Sequence, residues 1–413
     1  MKVSPATRAR GAVAVIAALA SYAQFGVTTS LGDVAHSLGH PGTTSSLVAE
    51  AGLSGSQLGV GLAVVRGASL FALIFAARAD RTGRWPVIRW TTIVGLIFTA
   101  LAAFSPTYWF FVACFALGRP FLSATSALLT VVTTETSRVR DRVGHLAVLA
   151  AATGAGAGLA ALVHSVLKSS QGFRWQFASA GLAVLLTGPL ARRSEEPVVT
   201  EEHPARLGRV ERRWRGRLWG VALVVAALSA VSGPANGFTF VYGENVLGFS
   251  PGRVTLVLVA SSVSGLAGLL LARRVGQRGS RGLGITGGFL FVVIGSVIAY
   301  SGSRTGFVVG YLFGVGAAGF VTPLLGAMST EIFPRSQRAT TSGWLVVAGV
   351  LGALSGLLVF GAVADAARAT GTGVLADAAR VTFLPTLLAL GALVRLARLD
   401  PAEHEVGDEG AVV

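Results

Sequence analysis

The sequence predicts an all-α membrane protein: twelve transmembrane helices in two six-helix bundles. Three observations lead there. Of its 413 residues 52% are hydrophobic and 13% charged, with a mean hydropathy of +0.67, whereas a soluble domain carries about a quarter charged residues. Apolar runs recur at roughly the 20 residues a helix needs to cross a bilayer, not as the short alternating segments of a membrane barrel. The basic residues fall between those runs with a strong one-sided bias.

The runs are bounded by charge, Gly or Pro. The first, near 11–31, follows "MKVSPATRAR". Further spans follow at once, so it reads as an uncleaved span and not as a secretory signal. The next five lie near 57–77, 87–104, 107–133, 143–167 and 173–191. Residues 192–216, "RRSEEPVVTEEHPARLGRVERRWRG", form the one clear linker. Six more spans lie near 217–241, 253–272, 283–301, 305–330, 340–363 and 381–398, before an acidic tail at 399–413. The expected organisation is a bundle at 1–191 and a second at 217–398. Each carries an Arg-rich loop between its second and third spans, a repetition typical of secondary transporters, whose substrate sites lie between halves.

Twelve spans put the N-terminus and every even-to-odd loop on one side. That side holds 26 of the 34 Lys and Arg residues, the other holds 6, and Arg66 and Arg119 fall inside spans. The bias predicts cytoplasmic termini in an inner, cytoplasmic membrane. It also accounts for the net charge of +15, so the bilayer is the expected environment and nucleic acid is not an expected partner. The single cysteine, Cys114, permits no intrachain disulfide and hints at no metal cluster.

The loop after the second span reads "ARADRTGRW", Ala77–Trp85. With Ala76 it gives A-x-x-x-D-R-x-G-R, which resembles the signature of the major facilitator superfamily in the loop between helices 2 and 3. Ala76 replaces the family's glycine and Arg78 an apolar position. Further stretches resemble that family in the right places: Arg119 in "FALGRPFLSAT", Glu135 and Arg142 in "TETSRVRDRVG", "FRWQF" at Phe173–Phe177, and Glu331, Pro334 and Arg338 in "TEIFPRSQRATTSG". The resemblance spans about 11–398. It implies alternating access, with Asp80, Arg81, Gly83, Arg84, Glu135, Arg142, Glu331 and Arg338 closing the cytoplasmic side while the cavity faces outward. Exposed ion pairs contribute roughly 0–1 kcal/mol, so such a gate is cheap to break. Aligned on Gly279, the second-half loop puts Gly276 where the aspartate would be, so the N-terminal gate is expected to be the stronger.

An ionisable residue inside a span is a functional hypothesis by default. Arg66 has two readings: an ion pair with Asp33, or, with Arg119, a site for an anionic group that suits bidentate guanidinium recognition. Asp33 is the candidate proton carrier; the first span offers Gln24 where some family members carry a carboxylate. His145 and His164, flanking the fifth span, read as surface or satisfied side chains. In the fifth span Gly154, Gly156 and Gly158 are expected to pack on the eighth. Pro234 in "SGPANGFTFVY" invites a break, making Asn236 and Tyr242 candidate substrate contacts. Pro323 suggests a kink, and Gly349, Gly352 and Gly356 a packing face.

The expected function is secondary transport of a small organic solute, by proton-coupled symport of a metabolite or organic anion. The alternative is a proton-coupled drug or metabolite efflux antiporter, disfavoured by the missing Gly-Pro pair in the fifth span; with so few membrane acids, facilitated diffusion stays open. A membrane enzyme would need a nucleophile–base cluster, and ATP-driven transport a nucleotide-binding loop; neither is found. No cofactor is expected, and a monomer is. A sensor that had kept only the fold would be expected to lose the gate residues.

Overall fold

In a computed structural model the described residues are 5–39, 47, 51–136, 142–167, 171–192, 209–277, 281–366 and 373–397. Among them every regular element is a helix. Eleven stretches are long and apolar enough to cross a membrane, and a further helix, Gly172–Arg192, stands where the sequence places the sixth span. The acidic tail and most of the linker lie outside the described residues.

The first span is α1 (Pro5–Thr29), followed by a short helix α2 (Leu31–Leu38). The second is α3 (Gly55–Ala68) and α4 (Ala72–Thr82), joined by one 3₁₀ turn at Ser69–Phe71. Then come α5 (Arg84–Leu101), α6 (Tyr108–Glu135), α7 (Arg142–Val166) and α8 (Gly172–Arg192). In the second half α9 (Arg212–Gly237) leads into a π-helical turn at Val241–Val246. It is followed by α10 (Pro251–Gln277), α11 (Arg281–Ala299), α12 (Arg304–Glu331) and α13 (Arg335–Ala366). The last span is α14 (Val374–Phe383), a 3₁₀ stretch at Leu384–Ala389, and α15 (Leu390–Ala397).

Local chemistry sets the helix starts. Ser54 and Gln57 make a reciprocal capping box at α3: the Ser54 hydroxyl accepts from the Gln57 amide at 3.1 Å, and Gln57 Oε1 accepts from the Ser54 amide at 3.2 Å. Thr107 caps α6 and Ser303 caps α12, each accepting from the N–H three residues on. Between α4 and α5 the chain turns at Gly83 with φ +90°, a conformation that costs any residue with a β-carbon. The loop's glycine is therefore a backbone requirement. α9 begins at Arg212, inside the segment the sequence assigns to the linker, because Trp214 packs on Phe333.

Internal contacts divide the chain into two compact units, residues 1–204 with Asn236–Leu258, and residues 205–235 with 259–413. The segment beyond the Pro234 region thus groups with the first half. In the first unit, α7 presses on α1 so tightly that a β-carbon on Gly156 would run into the Ala18 backbone. The sequence had placed these glycines against the eighth span; instead Gly156 meets the first, while Gly154 and Gly158 have open space around them. In the second unit Gly352 and Gly356 of α13 bear in the same way on Ala226 and Ala230 of α9. The packing face expected there is present. Small residues are what allow such approach in a membrane, where lipid removes the hydrophobic drive between helices.

Buried polar groups complete the first unit. Gln176 of α8 is 1% exposed. It donates to Thr29 Oγ1 at 3.0 Å and to the Ala160 carbonyl at 3.2 Å, and accepts from the Ser30 hydroxyl. One side chain thereby ties α1, α7 and α8. Arg174 donates to the Ala103 and Ser105 carbonyls at 2.8 and 3.1 Å, closing the exposed end of the third span. Large apolar side chains such as Trp175, Leu182, Leu185 and Leu256 stand outward, as they must where the solvent is hydrocarbon.

Candidate functional site

Two arginines near the middle of their spans define the candidate site. Arg66 lies in the span Gly55–Ala79 and Arg119 in Tyr108–Thr133. Their helices meet because Gly61 has no side chain: a β-carbon there would overlap the Tyr108 ring and Val112. The Tyr108 hydroxyl donates to the Gln57 carbonyl at 3.1 Å and pins the same crossing. Just past Arg66 the helix tightens, with Ser69 Oγ donating to the Arg66 carbonyl at 2.6 Å.

The helices that carry the two guanidiniums pack directly on one another. Among the described residues no carboxylate lies within ion-pair distance of either. Arg119 Nε is buried without a hydrogen-bond partner. A buried unmet donor costs about 1–3 kcal/mol, and a charged one more. Arg66 is exposed with respect to protein atoms, and a guanidinium at this depth is tolerated where it faces the bundle interior or a water-filled cavity. Gln24 of α1 reaches the same stretch of α6, donating to the Leu122 carbonyl at 3.2 Å and Ser126 Oγ at 3.0 Å. Span 1 thus meets span 4 one turn beyond Arg119, and span 2 meets span 4 at Gly61 and Tyr108, all within one unit.

Asp33 is not part of that group. It sits on α2, where His164 Nδ1 lies 3.4 Å from its Oδ2. Among the described residues no ion pair joins Arg66 to Asp33. Burial pushes the Asp33 carboxyl up to about 6; His164 opposes the rise, Glu244 adds to it and His36 opposes it. His164, read in the sequence as a surface or satisfied group, is 3% exposed and also faces Glu244. Glu244 was missed outright: nothing in "FVYGENVLG" marks an acid that the turn at Val241–Val246 will carry to the fifth span.

Of the other candidates, Asn236 is exposed and Tyr242 fully buried, so a solute would meet Tyr242 only after the segment moves. Arg81 is exposed and Arg84 buried. The side chains of Asp80, Glu135, Arg142, Glu331 and Arg338 lie outside the described residues, as does Gly279.

Comparison with known proteins places this architecture. A family model described as Major Facilitator Superfamily matches residues 13–357. The chain belongs to that superfamily. It is similar to a gentisate transporter of Corynebacterium glutamicum, 23% identical over 390 residues that cover 89% of this chain and 85% of the relative. Among solved structures it resembles a bacterial homolog of the human lysosomal transporter Spinster in an inward-facing, occupied conformation, with a TM-score of 0.73 and 15% identity over 98% and 99% of the two chains. It also resembles a D-xylose–proton symporter, with a TM-score of 0.70 and 18% identity over 94% and 97%. The human organic anion transporter MFSD10 (TETRAN) gives 0.64 and 19% over 94% and 100%. At these identities the structures speak for the fold alone. The protein is a multi-pass membrane transporter of the major facilitator superfamily.

Proposed function

We propose that this superfamily member imports a small organic anion, with an aromatic carboxylate as the substrate class, by proton-coupled symport across the cytoplasmic membrane. The Arg66–Arg119 pair carries the reading. Two guanidiniums held in the membrane interior without an acidic neighbour among the described residues are an unfilled demand for negative charge, and a planar carboxylate meets it in bidentate fashion. The name of the gentisate transporter supports a carboxylate on an aromatic ring. A proton is the natural companion. Moving one negative charge inward against the membrane potential costs about 2.3 kcal/mol per 100 mV, and a co-transported proton removes that cost.

In this reading both termini are cytoplasmic, and the chain works as a monomer of two bundles. The signature loop with Asp80, Arg81, Gly83 and Arg84, together with Glu135, Arg142, Glu331 and Arg338, gates the cytoplasmic side. The test is uptake of labelled gentisate into liposomes holding the full chain, with and without an inward proton gradient. Gradient-driven accumulation that Arg119→Gln abolishes supports the proposal. Proton-driven exit of lipophilic cations without gentisate uptake would replace it with the efflux antiporter.

A further inference from the structure

His164 is a buried imidazole that the anion site does not use. It stands between two carboxylates from different elements. Nδ1 is 3.4 Å from Asp33 Oδ2 of α2, and Nε2 is 3.0 and 3.1 Å from the two oxygens of Glu244 in the π-helical turn. A neutral imidazole has one N–H, so it donates to one acid and turns a lone pair on the other. Both contacts are favourable only when the cluster holds one proton more. It then exists as an imidazolium donating on both sides, or as a protonated Asp33 donating to Nδ1.

We propose that Asp33, His164 and Glu244 bind one exchangeable proton as a unit, and that this proton latches the Val241–Val246 turn onto α2 and α7. The proton moves between water and the cluster; only N–H and O–H bonds form or break. Asp33 and Glu244 keep some exposure, 27% and 14% of their side chains, which gives the proton a path. Losing it leaves two negative charges about a poorly solvated ring, and the cheapest relief is for the turn to part from the helices.

The surroundings leave the charge within the cluster. The groups acting on Asp33 are His164, Glu244 and its own helix's His36; those acting on His164 are Glu244 and Asp33. From α8 come neutral Gln171, which donates to Ser37 Oγ at 3.5 Å, and Gln176, bound to Ser30. Arg174 is spent on backbone carbonyls, and Arg253 at the start of α10 is exposed. Among the described residues, α1 and α6 bring no charged group to bear on Asp33. The arrangement is not a metal site: the ring's two nitrogens face different acids, and among the described residues no three His, Cys, Asp or Glu side chains are placed to hold an ion. Close packing keeps the pieces aligned, since a β-carbon on Gly32 would collide with Asn245 beside Glu244.

The inference deepens the symport reading by giving the proton a seat; it rests on that reading only for what the proton drives. The test therefore needs no solute. Hydrogen exchange of the amides from Phe238 to Phe249 is followed in the full chain in lipid nanodiscs between about pH 5 and about pH 8, corrected for intrinsic exchange. Protection should fall at least about tenfold as pH rises. Asp33→Asn, whose amide can donate to Nδ1 at any pH, should stay protected throughout. Glu244→Gln, whose amide can donate to Nε2 while Nδ1–H donates to Asp33, should likewise lose the pH step. A flat wild-type profile, or a wild-type midpoint in both variants, overturns the proposal. A pH-dependent wild type that takes up no gentisate supports the proton site while overturning the anion reading.

Discussion

The backbone of Ala18 occupies the space that a β-carbon on Gly156 would need. The contact fixes how closely the fifth span lies on the first, and its counterpart in the second unit is Gly352 against Ala226. Gly156→Leu and Gly352→Leu are expected to lose most of the folded, monodisperse protein, because overpacking against backbone has no rotamer escape and costs at least about 1–3 kcal/mol. Gly158→Ala, with open space around it, should purify like wild type. Fluorescence-detected size exclusion after a heating series separates the cases.

Arg119 is expected to be more demanding than Arg66, since its Nε is buried while Arg66 is exposed. Arg119→Lys keeps a charge but loses the planar fork, so gentisate affinity should fall about tenfold or more, near 1.4 kcal/mol. Arg66→Lys should cost less, because a lysine there keeps charge and water. Titration calorimetry on the detergent-solubilised protein reports both.

Gly83 holds φ +90° in the D-R-x-G-R turn. Gly83→Ala should lower the melting temperature by a few degrees, corresponding to about 1–2 kcal/mol of backbone strain. Arg81→Ala, at an exposed position, should leave melting unchanged and alter only transport. A shared loss of stability would place Arg81 in the packing of the turn.

Asp33 sets a pH dependence of stability. Its carboxyl is raised to about 6 in the folded protein, against about 3.9 in an unfolded chain. The folded state therefore binds the proton more tightly, and stability falls as pH rises through that window. Wild-type melting temperature should drop between about pH 4 and about pH 6.5 by an increment that Asp33→Asn lacks. Equal slopes in both would show that other groups dominate.

Gln176→Leu tests the buried tie among α1, α7 and α8. It strands the Ser30 hydroxyl and removes a donor from Thr29 Oγ1, which keeps its bond to the Gly26 carbonyl, and from the Ala160 carbonyl, so a loss of about 1–3 kcal/mol is expected in unfolding by denaturant. Gln176→Glu keeps an acceptor for Ser30 but adds a buried charge, and should be worse.

The spans were legible because each needs only a run of apolar residues of bilayer length, and that information is local. The Arg66–Arg119 pair could be suspected, since charge inside a span is costly wherever it occurs. What the sequence hid were choices between distant partners. Asp33 offered a plausible partner for Arg66, yet the group it faces is His164, more than a hundred positions on. The glycines of α7 advertised a close approach without naming α1 as its object.

The sequence by itself determined the number and place of the helices, the uneven distribution of basic charge, and membership of a transporter family. These follow from hydropathy and short motifs, which act residue by residue. Only the tertiary structure decided that Gln24 bonds the fourth span at Leu122 and Ser126, that the segment from Asn236 groups with the first unit, and that Glu244 thereby faces His164. Such meetings depend on helix crossing, where the absence of a side chain at Gly61 or Gly156 decides which faces touch, and no local pattern along the chain encodes the identity of the face opposite.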